Sequence, residues 1–179
     1  KFDPQVARQE LQSAFPELKN IEIQVKLPRT VAISVVERQP VVAWRNNEQT
    51  NWIDEEGVVF PPRGEAPALL TIDGGDLPLI SAPESETDAA AAEEAKKRST
   101  EPKRIRTEIL KAGLRLSEML PVDTILAYTP EDGLGWVAPD GWKVYVGSTL
   151  EDLNLKIAIY QRISENITAQ GVTPSMISV

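Results

Sequence analysis

Hydrophobic and polar positions change period several times along this chain, and each change marks an element. Ala7, Leu11, Ala14 and Leu18 recur at helical spacing with Phe15 beside them. Asp3-Pro4 supplies a capping oxygen followed by a proline suited to the first helical position. Pro16 stops that helix near Phe15. Ile21, Ile23, Val25 and Leu27 then alternate with Glu22, Gln24 and Lys26, the pattern of a half-buried strand. Leu27-Pro28-Arg29-Thr30 reads as a turn. Val31, Ile33 and Val35 form a second alternating strand, expected to pair antiparallel with the first under one covering helix. One helix on two strands buries little, so further elements are expected before Lys1.

From Val41 the texture is β-rich. Trp52-Ile53 and Val58-Val59-Phe60 flank Asp54-Glu55-Glu56-Gly57, a hairpin with glycine where positive φ is needed. Pro61-Pro62-Arg63-Gly64 and Asp73-Gly74-Gly75-Asp76 are loop signals, with Leu69, Leu70 and Ile72 between them as a short strand or buried loop. Residues 81–100 are acidic and Ala-rich with almost no large apolar residue, which predicts a mobile loop or an exposed helix.

Ile105, Ile109, Ala112, Leu116 and Met119 share one helical stripe that Pro121 ends. A meander of strands is predicted over residues 124–128, 134–137 and 142–146, turning at Pro130-Glu-Asp-Gly133 and Pro139-Asp-Gly141. Ser148-Thr-Leu-Glu151 has the form of a capping box for a helix that turns Leu153, Ile157, Tyr160 and Ile167 inward and stops at Gly171. Met176-Ile-Ser-Val179 opens a further strand.

Composition narrows the chemistry. The 179 residues suffice for one medium domain or two small ones, and a net charge of −8 disfavours nucleic acid and anionic lipid as partners. Absence of cysteine and histidine excludes thiol nucleophiles, disulfides, Ser-His-Asp catalysis and most transition-metal sites. Carboxylates, lysines, hydroxyls and a magnesium- or calcium-type oxygen site remain. No apolar run reaches the roughly 20 residues of a membrane span.

One ordered set of motifs stands out. The strand over residues 30–37 runs into Glu37-Arg38-Gln39-Pro40 and an apolar segment ending in Trp44; Trp52-Ile-Asp54-Glu-Glu-Gly57-Val-Val-Phe60 follows. Leu77-Pro78-Leu79-Ile80 precedes the 105–119 helix, and Gly141, Trp142-Lys-Val-Tyr-Val-Gly147 and Lys156 close the series. This order resembles the FtsQ/DivIB cell-division family, from the second helix of its POTRA domain nearly to the end of its β domain. Two departures stand beside the likeness: no first POTRA strand and helix precede Lys1, and Ser81-Ala82 replaces the glycine that usually closes the Leu-Pro-Leu-Ile step.

The resemblance implies an α+β chain. Residues 1–43 would be the C-terminal part of a POTRA domain, and residues 44–179 a mainly antiparallel β-sheet domain with two or more helices packed on it. It implies a non-enzymatic divisome scaffold with no cofactor: the extracytoplasmic region of a single-pass inner-membrane protein at the septum, anchored upstream of Lys1. Its partners would be FtsB/FtsL-type bitopic proteins, docked through the C-terminal edge of the β domain, with other divisome proteins meeting the POTRA part. Met176, Ile177, Ser178 and Val179 would lead into that edge, with Tyr160 beside it. The recruiting strand itself would lie beyond Val179. The rival readings are a POTRA-bearing protein of outer-membrane assembly or secretion, and a glycan hydrolase using two carboxylates about 5–9.5 Å apart.

Side-chain expectations are plainer. Glu37 and Arg38 are expected as a solvated strand end, and the four tryptophans as sheet core, with Trp136 and Trp142 pairing across adjacent strands. Asp54, Glu55, Glu56, Asp73 and Asp76 are expected to serve turns rather than a metal. Lys96-Lys97-Arg98 and Lys103-Arg104 are expected on a solvated surface, and the Asn166-Ile-Thr168 sequon on an inert helix.

Overall fold

In a computed structural model of the chain, the structure describes residues 3–26, 30–47, 49–64, 69–80 and 102–179. The 81–100 segment, its basic triplet and the tip of the turn after Lys26 lie outside the described residues.

Helix α1 (Pro4–Ala14) starts as its sequence dictates: the Asp3 carboxylate accepts from the Gln5 N–H at 2.9 Å, and Pro4 follows. Strands β1 (Leu18–Lys26) and β2 (Thr30–Glu37) form an antiparallel pair, with a bulge between Lys19 and Glu22 where Asn20 takes φ 53°. The helix packs on β1 and Ile21 is buried, but Val31, Ile33 and Val35 on β2 are exposed. The expected cover over both strands therefore extends to β1 alone.

Eight strands make the main sheet: β3 (Pro40–Asn46), β4 (Gln49–Asp54), β5 (Val59–Phe60), β6 (Leu70–Gly74), β7 (Leu126–Thr129), β8 (Gly133–Val137), β9 (Lys143–Gly147) and β10 (Met176–Ser178). Their order is β10-β9-β8-β7-β6-β3-β4-β5. Four joints are antiparallel (β3/β4, β4/β5, β7/β8, β8/β9); β3/β6, β6/β7 and β9/β10 are parallel. The fold is thus α+β with a mainly antiparallel sheet, as its sequence predicts. Position 43/44, the expected domain division, falls inside β3.

Helices α2 (Thr107–Met119) and α3 (Leu153–Ala169) cover one face of the sheet. The core is a register row. Trp44, Ile72, Leu126, Trp136, Val144 and Ile177 sit opposite one another across six strands, and all are buried. From the helix layer Ile109, Leu110, Ala112, Leu116, Leu153 and Ile157 close over them. The other face carries Arg45, Asp73 and Val137, all exposed, as a one-sided sheet permits.

Two local expectations fail. Register sets Trp136 opposite Val144, not Trp142, and the Trp136 ring meets Tyr160 edge-on at 5.2 Å. The capping box does not form. Asp152, at φ 53°, is the residue before α3 and makes no side-chain cap, so the extended backbone that the box requires is absent.

Candidate functional site: the β10 edge and the Arg38 junction

The two ends of the main sheet differ. At the β5 end, residues 103–105 lie along the edge: Val59 N–H donates to Lys103 O at 2.9 Å, and Ile105 N–H to Gly57 O at 2.9 Å. At the other end, β10 has β9 on one side and no strand on its other side among the described residues. Ser175 O accepts from Lys143 N–H, and Val179 N–H donates to Tyr145 O. Backbone groups alternate in direction along a strand, so the intervening Met176 and Ser178 turn theirs away from β9. Both side chains are exposed while Ile177 is buried in the core row, which fixes the strand's register. Tyr160 is half-buried on α3 against Trp136, in the helix layer rather than on the β10 edge.

The second constellation joins the α1–β1 unit to the main sheet. Arg38 is 6 % exposed and Asp54 1 %, so the expected solvated strand end is corrected for Arg38; Glu37 beside it is exposed. Arg38 Nη1 donates to Asp54 Oδ2 at 2.5 Å and Glu56 Oε2 at 3.0 Å, and its Nε to Pro16 O at 3.2 Å. The Arg38 backbone N–H donates to Glu17 O at 2.8 Å. One residue thus ties the α1–β1 turn to the β4–β5 hairpin. Asp54 serves the turn as expected, Oδ1 accepting from the N–H groups of Glu56 and Val58, and it is also the buried counter-charge. The hydrogen bond from Arg38 is the main reason that the Glu56 carboxyl is held below its ordinary value. Two signals in the sequence mark this pair: an arginine two residues before a proline that begins an apolar strand, and an aspartate ending Trp52-Ile53 with no cation nearby in the chain.

The family profile described as "Cell division protein FtsQ/DivIB, C-terminal" matches residues 42–177. The chain belongs to the FtsQ/DivIB family. Its FtsQ relatives include the "Cell division protein FtsQ" of Chloroflexus aggregans, 33% identical over 79 residues, which are 42% of this chain and 29% of that protein. The Chloroflexus aurantiacus protein of that name is 30% identical over 77 residues, 41% and 28% of the two chains. That of Mycobacteroides abscessus is 33% identical over 69 residues, 38% and 21%. The chain thus matches less than a third of the length of each of these curated relatives.

The residues that carry the FtsQ/DivIB resemblance have physical reasons. Gly57 takes φ 79° in the β4–β5 hairpin, and Gly141 φ 92° in the β8–β9 turn. Gly147 takes φ 83°, and a side chain there would begin 3.3 Å from Lys156 Nζ, which donates to Val146 O at 2.7 Å. Trp44 is fully buried and its Nε1–H donates to Gly75 O at 3.2 Å; a Cβ on Gly74 would stand 2.4 Å from the Trp44 ring. The Gly74-Gly75 step therefore admits the Trp44 ring as well as turning the chain. Phe60 meets Trp52 edge-on at 6.3 Å, and both line a cavity with Pro40. Asp73 lies within β6, where it pairs in a fork with Arg45, its register neighbour on β3. Among the described residues no three acidic side chains cluster as a metal site, and no helix is long and apolar enough to cross a membrane.

Proposed function

We propose that this chain is an extracytoplasmic scaffold of the divisome that recruits FtsB/FtsL-type bitopic proteins by strand addition at the β10 end of its sheet. One observation supports the reading: among the described residues, 103–105 lie against the β5 edge, whereas Met176 and Ser178 direct backbone donors and acceptors outward, at the end of the sheet where the recruiting strand beyond Val179 is expected. Main-chain hydrogen bonds give such a joint its affinity, and the exposed Met176 side chain offers an apolar contact beside them. The α1–β1–β2 unit is the C-terminal part of a POTRA domain, set between a membrane anchor and the sheet. The protein works without catalysis, helping to time septal peptidoglycan synthesis.

The test is a pull-down with the extracytoplasmic parts of the FtsB- and FtsL-type proteins of the same genome. Ser178→Pro removes an outward donor while sparing the bonds that Ser175 and Val179 make to β9. Native protein is expected to retain the pair and Ser178→Pro to lose it, with Arg162→Ala on the exposed face of α3 as a silent control. Equal retention by native and Ser178→Pro protein, or none by the native protein, would refute the proposal.

A further inference from the structure

We propose a second binding site, at the junction of the α1–β1 turn with the β4–β5 hairpin: a socket for one lysine-type ammonium group presented by a partner polypeptide. Glu17 is almost wholly buried. Its Oε1 pairs with Arg63 Nη2 at 2.9 Å, but its Oε2 is buried with no hydrogen-bond partner among the described residues. Carboxylate oxygens taken out of water are normally satisfied, so this one marks a place built for a donor. Glu17 lines a cavity of about 190 Å³ together with Glu37, Trp52, Phe60 and Arg63. Arg38, which also lines it, is already engaged by Asp54, Glu56 and Pro16 O.

The chemistry selects the occupant. An anion would meet Glu17 and Glu37. A divalent cation asks for six or more oxygen ligands, and no cluster of three acidic residues is present among the described residues. A guanidinium would ask for both oxygens of Glu17, one of which Arg63 holds. A primary ammonium is compact, needs single acceptors and is attracted by aromatic faces such as those of Trp52 and Phe60. The cavity has room for the four-carbon stem of a lysine. The terminal torsion of a glutamate is broad, so Oε2 turns toward an entering ammonium at little cost. Arg63, 57 % exposed and resting over the Phe15 ring, keeps Oε1 while the ammonium takes Oε2, and its charge opposes the newcomer. The site is remote from β10 and engages a different feature of a partner: one basic side chain rather than a strand.

The experiment is an amide NMR titration of the whole 179-residue chain with n-butylammonium chloride. Tetramethylammonium chloride serves as a cation without donors. Saturable shifts at Glu17, Glu37 and the Trp52 indole are expected with the first salt only. Glu17→Gln is expected to weaken binding about tenfold, as loss of a charged hydrogen bond does. Arg63→Met, which removes the resident cation, is expected to tighten it. Non-saturable shifts common to both salts, or equal affinity in Glu17→Gln and native protein, overturn the proposal. Should Glu17→Gln not fold, unchanged or weaker binding by Arg63→Met overturns it.

Discussion

Replacing Asp54 with asparagine isolates the charge in the Arg38 junction. The amide keeps a carbonyl oxygen for the Glu56 and Val58 N–H groups, so the hairpin turn survives. What disappears is the negative charge 2.5 Å from a guanidinium whose side chain is 4 % exposed. Breaking a buried pair on one side costs about 3–5 kcal/mol, because the remaining charge stays desolvated. Glu56 remains 3.0 Å from Arg38, but at 46 % exposure it offsets no more than about 1 kcal/mol. The expected loss is therefore about 2–4 kcal/mol. With a urea m-value near 2 kcal/mol/M, the unfolding midpoint falls by about 1–2 M. Intrinsic fluorescence of the four tryptophans, Trp52 beside the junction among them, reports the unfolding. In a double-mutant cycle, Arg38→Met is expected to couple to Asp54→Asn by at least about 1 kcal/mol. A midpoint shift worth under about 1 kcal/mol, with no coupling, would show that the pair behaves as a surface ion pair and refute the reasoning.

Gly74→Ala places a methyl 2.4 Å from the fully buried Trp44 ring, and overpacking of this kind costs about 1–3 kcal/mol; an unchanged midpoint would count against that contact. Lys156→Met strips Val146 O of its donor, an expected loss of about 1–3 kcal/mol, seen as a melting point lower by several degrees. Because Arg38 lowers the folded-state pKa of Glu56, the stabilisation from its charge is present above the unfolded value of 4.5 and is lost as pH falls through the lower folded value. Glu56→Gln is therefore expected to destabilise slightly at neutral pH, with the difference from native protein vanishing in acid; a difference that grows as pH falls would contradict the sign.

Local order was legible in the chain. Asp3-Pro4 started α1, Pro16 ended it, Gly57 turned the β4–β5 hairpin, and helical spacing around Ile109 and Leu116 placed α2. Periods of 3.6 and 2 are properties of neighbouring residues, so they survive in the sequence and carry the ordered motifs that mark the family. The tertiary structure alone decided that β6 lies between β3 and β7 in parallel, and that among the described residues β5 has a neighbour along its edge while β10 has no strand on its outer side. Alternation gives a strand its buried face but names neither its neighbour nor its direction. Arg38 shows the same limit in a single side chain. Sixteen residues separate it from Asp54, and only the fold makes that distance 2.5 Å and closes the two groups off from water. A charge is solvated until the chain supplies its partner, and which partner arrives is a long-range property that local pattern does not encode.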